Sequence, residues 1–121
     1  MGLGKNICEV NRWQLWKSKI NNLDATHFIK TSELLPNSVF LDVRTEQEWQ
    51  GQPVSFHNTV QLNYLGPRFL EEFETLNPRY AYFVFCRTGR RSIRVCALLH
   101  NSGFREIYNL EGGLLALNAL K

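Results

Sequence analysis

Short apolar runs recur along the chain, and segments long enough for a helix or a turn separate them. The five runs that we interpret as strands are His27–Lys30, Val39–Val43, Thr59–Leu62, Ala81–Phe85 and Ile107–Leu110. Strands that alternate with helices predict a mainly parallel sheet with helices on both faces. We therefore expect one α/β domain built on a central sheet of about five strands.

The segments between these runs carry helical signals of different strength. One helical turn, Thr31–Leu35, is stopped by Pro36. A short helix is predicted over Glu46–Gln50, and Leu114–Leu120 predicts another at the end of the chain. A further helix is expected to start at Pro67, where the missing N–H of proline costs nothing. Its apolar stripe consists of Phe69, Leu70, Phe73 and Leu76.

The strongest helical signal is the apolar segment Ser92–Ser102. Gly103 suits the left-handed residue that follows a helix, and Phe104 is expected to fold back as the apolar contact. Cys96 lies on this segment, and we interpret it as a residue of the core.

The N-terminal segment has its own helical pattern. Val10, Trp13, Trp16 and Ile20 recur at helical spacing beside basic residues, which predicts an amphipathic helix. We interpret residues 1–25 as a helical extension packed on a domain that spans 26–121. The alternative is a helix that contacts a partner or a membrane surface.

Charge is distributed unevenly along a chain of 121 residues that is 44% hydrophobic, 21% charged and +3 in net charge. This mild net charge does not indicate a nucleic-acid-binding protein. No acidic residue lies between Glu74 and Glu106, whereas six arginines do: Arg79, Arg87, Arg90, Arg91, Arg94 and Arg105. A positive field over this stretch suits a small anion.

The three cysteines, Cys8, Cys86 and Cys96, are too few and too scattered for a disulfide scaffold. No Cys/His spacing is that of a zinc site, so we expect no metal and no cofactor. A reducing compartment is the simpler interpretation, and we predict a cytoplasmic protein. No signal peptide or membrane-spanning run is apparent, so we expect no membrane partner.

Cys86 is the candidate nucleophile. It ends the predicted strand Ala81–Phe85, and a glycine-containing, arginine-rich loop leads from it into the next helix. Gly89 lets successive amide N–H groups turn inward as an anion-binding nest. The positive end of the following helix adds to this effect, so the loop favours the reactive thiolate.

Several motifs occur in the order found in the rhodanese family, which the chain resembles from about Phe28 to Leu117. The loop of that family reads C-x-x-G-x-R-[ST], and here it is Cys86, Arg87, Thr88, Gly89, Arg90, Arg91 and Ser92. The upstream family motif D-V-R-x-x-x-E-[YW] is matched by Asp42, Val43, Arg44, Glu48 and Trp49. The glycines before the last strand and the last helix also match, at Gly103 and Gly112-Gly113.

Two segments depart from the family pattern. The family usually has G-H-I-P-G-A between its second and third strands, but here His57 falls on the proline of that motif after a two-residue insertion. The common tryptophan after the last glycine pair is absent, and Leu114–Leu117 stand there instead. We expect both changes to lie away from the reactive loop.

The resemblance implies a sulfurtransferase in which Cys86 carries a persulfide. It implies a small anionic donor such as thiosulfate, and cyanide, a thiol or a sulfur-accepting protein as the acceptor. The substrate-binding residues it implies are Arg87, Thr88, Gly89, Arg90, Arg91 and Ser92. Asp42, Arg44 and Glu48 would support the loop structurally, and Arg91 is expected to point back toward Asp42 or Glu48. Arg87 and Arg90 are the better candidates for donor contact.

Three alternatives to a stand-alone enzyme stay open. One is a persulfide carrier with the same chemistry on Cys86, and another is a non-catalytic binding module. The third is a phosphatase or arsenate reductase of the same fold. Those enzymes place five residues between cysteine and arginine, whereas four separate Cys86 from Arg91 here.

Overall fold

Five strands form the central sheet of the protein, whose computed structural model describes residues 20–120. They are β1 (Asn21–Leu23), β2 (Ser38–Asp42), β3 (Thr59–Gln61), β4 (Ala81–Phe85) and β5 (Ile107–Leu110). The strand order is β1-β5-β4-β2-β3, and every neighbouring pair is parallel. The predicted parallel sheet of about five strands is therefore confirmed, with the fully buried β4 at its centre.

Helices cover both faces of this sheet. In the described part of the chain they are α1 (Ala25–Leu34), α2 (Glu46–Gly51), α3 (Phe69–Phe73), α4 (Arg90–Asn101) and α5 (Gly113–Asn118). Successive side chains of a strand point to opposite faces. Leu41 and Val84 accordingly pack in one core cluster with residues of α3 and α4, and Phe83 packs in a second cluster with residues of α1 and α5.

The strand predicted at His27–Lys30 is wrong, because these residues lie inside α1. Asp24 caps this helix by accepting a hydrogen bond from the N–H of His27, at 2.9 Å. Phe28 and Ser32, one helical turn apart, are both buried. The turn predicted over Thr31–Leu35 is the end of the same helix.

The helix expected at Pro67 is shorter than its apolar stripe indicated. It spans Phe69–Phe73, and Leu76 lies beyond its end. Phe69, Phe73 and Leu76 pack on the core as predicted. Leu70 does not, since 69% of its surface is exposed.

Most other predicted boundaries agree with the structure. The bounds of β4 and β5 are those predicted, and α4 begins two residues before Ser92. Gly103 has a φ of 88°, in the left-handed region. The N–H of Phe104 donates to the carbonyl oxygen of Leu99 at 3.0 Å, and Phe104 is buried. The predicted end of α4 is therefore confirmed.

The N-terminal helix predicted from Val10 to Ile20 falls almost entirely outside the described residues and stays a prediction. Ile20 itself is described and is buried in the core. Strand β1, which the sequence did not predict, follows it at the edge of the sheet and pairs with β5. Within residues 20–120, no helix has the length and apolar character that crossing a membrane would require.

Phe28 should be a major source of stability, because its buried ring packs edge-on against Phe83 with centroids 5.4 Å apart. We expect Phe28→Ala to lower the free energy of unfolding by about 3–5 kcal/mol in denaturant titrations. The matched control is Leu34→Ala on the same helix, where 81% of the side chain is exposed. That variant should change the free energy by no more than about 0.5 kcal/mol. Equal effects of the two substitutions would contradict the packing described here.

Candidate active site

Cys86 follows the last residue of the central strand β4, and the loop after it runs directly into α4. This is the carboxyl edge of a parallel sheet, where sites form in open α/β folds. The residue has no exposed surface. Its sulfur is therefore covered by neighbouring residues in this structure.

Two main-chain N–H groups point at the sulfur of Cys86. The N–H of Gly89 donates to Sγ at 3.0 Å, and the N–H of Ser92 does so at 3.4 Å. The hydroxyl oxygen of Ser92 lies 3.5 Å from the same sulfur. These N–H groups belong to the start of α4, where backbone donors lack partners within the helix. The loop is thus built to stabilise negative charge on sulfur.

Gly89 is required by the backbone of this loop. Its φ is 93°, a left-handed conformation that other residues adopt at a cost. A Cβ at this position would lie 3.2 Å from the nitrogen of Gly112 and 3.3 Å from the carbonyl oxygen of Leu110. The glycine therefore permits both the turn toward the sulfur and the close approach of the segment after β5.

The start of α5 supports the reactive loop from behind. The N–H of Leu114 donates to the carbonyl oxygen of Cys86 at 3.0 Å, and that of Leu115 donates to the carbonyl oxygen of Arg87 at 3.1 Å. Gly113 has a φ of 64°, and a Cβ there would lie 2.4 Å from the carbonyl carbon of Arg87. The expectation that Leu114–Leu117 lie away from the loop is therefore wrong. The glycine pair is visible in the sequence, but no local pattern predicts this contact.

Asp42 and Arg44 form a buried ion pair at the end of β2, next to the strand that carries Cys86. The guanidinium donates to both carboxylate oxygens, from Nε at 2.9 Å and from Nη2 at 2.8 Å. Nη1 donates to the carbonyl oxygens of Glu48 and Gln52, so every guanidinium nitrogen has a partner. Such full pairing is what a charged pair needs when it is buried. The pair thereby ties the end of β2 to α2.

Arg91 pairs with Glu48, one of the two carboxylates expected as its partner. Nη1 and Nη2 donate to the two carboxylate oxygens at 2.7 and 2.8 Å. These hydrogen bonds lower the pKa of Glu48 to about 2, with further hydrogen bonds from Thr45 contributing less. The same contact raises the pKa of Arg91. This pair connects α2 to the first turn of α4.

The remaining predicted site residues lie at the rim of the loop. Arg87, Thr88 and Arg90 are exposed, and neither arginine forms a salt bridge with another residue of the segment 20–120. Cys96 is fully buried in the core, where desolvation raises the pKa of its thiol well above the usual value.

The sequence matches a known family over most of its length. Residues 30–120 match the family described as the rhodanese-like domain. The chain belongs to the rhodanese-like family. Among curated relatives, thiosulfate sulfurtransferase 18 of Arabidopsis thaliana is 30% identical over 87 residues, which cover 64% of this chain and 64% of that protein.

Other relatives share shorter parts of their sequence with this chain. The putative sulfurtransferase YtwF of Bacillus subtilis is 44% identical over 46 residues, covering 38% of this chain and 44% of YtwF. Rhodanese-like domain-containing protein 17 of Arabidopsis thaliana is 30% identical over 87 residues, or 64% of this chain and 56% of that protein. The chain thus spans about half the length of these two relatives.

Solved structures of rhodanese-like proteins have the same fold. The polysulfide-sulfur transferase homodimer of Wolinella succinogenes superposes with a TM-score of 0.70 at 24% identity, covering 99% of this chain and 88% of that one. A rhodanese-related protein of Thermoplasma volcanium gives a TM-score of 0.68 at 21% identity, covering 83% and 92%. These likenesses confirm the rhodanese-like fold.

Gly113→Ala should disturb the loop that holds Cys86, because the added Cβ would overlap the backbone of Arg87 and its φ is unfavourable for alanine. We expect the free energy of unfolding to fall by about 2 kcal/mol or more. The control is Gly51→Ala, which has no atom within 4 Å of the new Cβ and no left-handed φ. Urea titration of both variants tests this, and equal stability of the two proteins would contradict the supporting role of α5.

The Glu48–Arg91 pair should make stability depend on pH in the acid range. The pKa of Glu48 is lowered from 4.5 to about 2 in the folded protein. The stabilisation is therefore complete above pH about 4.5 and is lost as the pH falls toward about 2. We expect Glu48→Gln to lower the free energy of unfolding by on the order of 1–2 kcal/mol at neutral pH. The effect is limited to this size because solvent screens a partly exposed pair.

Denaturant titrations of wild type and Glu48→Gln between pH 7 and the acid limit of folding should show this cost shrinking as the pH falls. Glu46→Gln is the control. The carboxyl of Glu46 is exposed on the same helix, and it forms no ion pair with another of the described residues. The same pH dependence in both variants would contradict this account.

Proposed function

We propose that the chain is a sulfurtransferase that moves a sulfane sulfur from a small anionic donor to a thiophilic acceptor through a persulfide on Cys86. The observation that carries this proposal is the pair of N–H groups, from Gly89 and Ser92, that point at the sulfur. Such donors stabilise a thiolate, and N–H groups of the same loop would stabilise the terminal sulfur of a persulfide anion. The names of two relatives, a thiosulfate sulfurtransferase and a putative sulfurtransferase, support the same chemistry.

In the first half-reaction the Cys86 thiolate attacks the outer sulfur of a donor such as thiosulfate. A new S–S bond forms on Cys86 while the S–S bond of thiosulfate breaks. The bonding electron pair leaves with sulfite, and Cys86 becomes a persulfide anion. No proton is transferred when the cysteine enters as the thiolate, so this step needs no general base.

In the second half-reaction a nucleophile attacks the outer sulfur of the persulfide. Cyanide would give thiocyanate, and a thiolate would give its own persulfide. In both cases the S–S bond to Cys86 breaks and the cysteine thiolate returns. Two separate half-reactions on one covalent intermediate predict ping-pong kinetics.

The rim arginines are the groups we assign to donor binding. Arg87 and Arg90 are exposed beside the loop, and neither has a carboxylate partner within residues 20–120. Arg91 is committed to Glu48 through both terminal nitrogens. A positive rim attracts an anionic donor toward the sulfur.

Phosphoryl transfer is the less favoured chemistry for this site. A phosphatase of this fold would need the arginine at the end of its loop to bind the phosphoryl oxygens, but Arg91 here binds Glu48. The N–H groups of Gly89 and Ser92 donate directly to the sulfur of Cys86, at 3.0 and 3.4 Å. Both features favour stabilisation of one sulfur atom over that of a tetrahedral oxyanion.

Mixing the protein with thiosulfate should add the mass of one sulfur atom, and peptide mapping should place it on Cys86. Cyanide should then remove the sulfur and release thiocyanate. Cys86→Ser should gain no sulfur while it still folds, because a hydroxyl forms no persulfide. Cys96→Ser is the control and should load like the wild type, since Cys96 is buried in the core.

A protein that takes no sulfur from sulfane donors would refute the proposed transferase. Hydrolysis of an aryl phosphate by that unloaded protein would favour phosphatase chemistry. Loading without measurable turnover on small acceptors would instead favour a carrier that passes its sulfur to a protein.

A further inference from the structure

A groove lies directly beside the loop after Cys86, between the start of α4, strand β5 and the edge strand β1. Its volume is about 480 Å³, and Thr88 and Gly89 of the loop form part of its wall. The other polar residues that line it are Asn22, Asn109, Arg90, Arg94 and Glu111. Cys86 itself does not line it, but Gly89, whose N–H donates to the sulfur, is part of its wall.

The groove has a buried amide with an unused hydrogen-bonding atom. Asn109 is 1% exposed, and its Nδ2–H donates to Oδ1 of Asn22 at 2.8 Å, an amide orientation assigned from the hydrogen-bond network. Oδ1 of Asn109 has no partner among the described residues. Leaving a buried polar atom unpaired costs on the order of 1–3 kcal/mol. A ligand that donates a hydrogen bond would remove this cost.

The position of Asn109 in the sheet is unusual for an amide. Its neighbours across the sheet are Val84 on β4 and Asn22 on β1, and Ile107, two residues earlier on the same face, is also buried. A half-satisfied polar side chain in the core departs from the usual pattern, and such departures are expected at functional or strained sites.

The groove also carries charges of both signs. Arg90 and Arg94 lie one helical turn apart on α4, so both guanidinium groups are on the same side of that helix, where they repel each other. Glu111 follows β5 and also lines the groove. No salt bridge joins Glu111 to either arginine within residues 20–120. The groove thus offers an anion site and a cation site that do not neutralise each other.

We propose that this groove binds the aminocarboxylate group of a small zwitterionic thiol, such as free cysteine. The carboxylate lies against Arg90 and Arg94, and the ammonium group lies against Glu111 and donates to Oδ1 of Asn109 when that buried side chain turns toward the groove. Thr88 and Gly89 belong to both the groove and the loop, so the thiol end of the ligand lies next to the loop that carries Cys86. The proposal that the ligand binds depends only on the groove. Its role as a sulfur acceptor rests on the proposed function.

When such a thiol acts as acceptor, its thiolate attacks the outer sulfur of the Cys86 persulfide. The S–S bond to Cys86 breaks, the ligand leaves as a persulfide, and Cys86 returns to the thiolate. A thiol that lacks the ammonium or the carboxylate loses one of the two anchoring contacts. The groove would therefore select among thiols of similar reactivity.

The binding test uses S-methyl-L-cysteine, which has the zwitterionic group and no free thiol, titrated into the full chain and followed by NMR. We expect saturable shifts of the side-chain amides of Asn22 and Asn109. Arg94→Gln and Glu111→Gln should each weaken binding by about threefold to fivefold, the size of one exposed ion pair. The control Arg105→Gln removes an exposed arginine outside the groove and should bind like the wild type.

Two analogues test the two ends of the ligand separately. 3-(Methylthio)propanoate lacks the ammonium and 2-(methylthio)ethylamine lacks the carboxylate, and both should bind more weakly than S-methyl-L-cysteine. Equal binding of all three compounds would overturn the proposal, and so would the absence of saturable shifts at Asn22 and Asn109.

A kinetic test separates failure of this site from failure of the proposed function. After loading with thiosulfate, L-cysteine should discharge Cys86 at lower concentrations than cysteamine or 3-mercaptopropionate, and Arg94→Gln should reduce that preference. Loading followed by the same relative discharge by the three thiols in the wild type and in Arg94→Gln overturns the acceptor site and leaves the transferase. Binding of S-methyl-L-cysteine by a protein that takes no sulfur refutes the transferase and supports the groove.

Discussion

The rest of this site depends on one interaction, the hydrogen bonds that main-chain N–H groups donate to the sulfur of Cys86. Gly89 and Ser92 direct their N–H groups at Cys86 because the chain turns sharply into α4. That turn needs a left-handed residue at Gly89, where a Cβ would be tightly packed, and it leaves no room for a Cβ at Gly113 behind it. A hydrogen-bonding geometry of a few atoms therefore constrains two glycines that lie 24 residues apart in the sequence.

The surrounding sheet keeps this loop in place. Cys86 follows the central, fully buried strand, whose position is set by β2 on one side and β5 on the other. The Asp42–Arg44 and Glu48–Arg91 pairs connect the end of β2, α2 and the start of α4. Hydrogen bonds from the start of α5 to the carbonyl oxygens of Cys86 and Arg87 complete the support. The loop is thus held by the sheet beneath it, by the two ion pairs and by the start of α5.

The sequence predicted the parallel sheet, four of its five strands and the position of the loop between Cys86 and α4, because these features depend on local patterns. It missed β1, whose Asn-Asn-Leu segment is polar and becomes a strand only by pairing with β5. It misassigned His27–Lys30, since the cap from Asp24 and the burial of Phe28 outweigh a short apolar run. The contact of Gly113 with Arg87 and the unpaired amide of Asn109 join distant segments, so no local pattern revealed them.

The central claim is that the backbone of the loop holds the sulfur stored on Cys86, and NMR of the loaded protein tests it most directly. Treatment with thiosulfate should shift the amide signals of Gly89 and Ser92 more than those of Gly51 and Gly103, which lie outside the loop. Cyanide should return them to their original positions. A mass that shows sulfur on Cys86 while the signals of Gly89 and Ser92 stay unchanged would contradict the account.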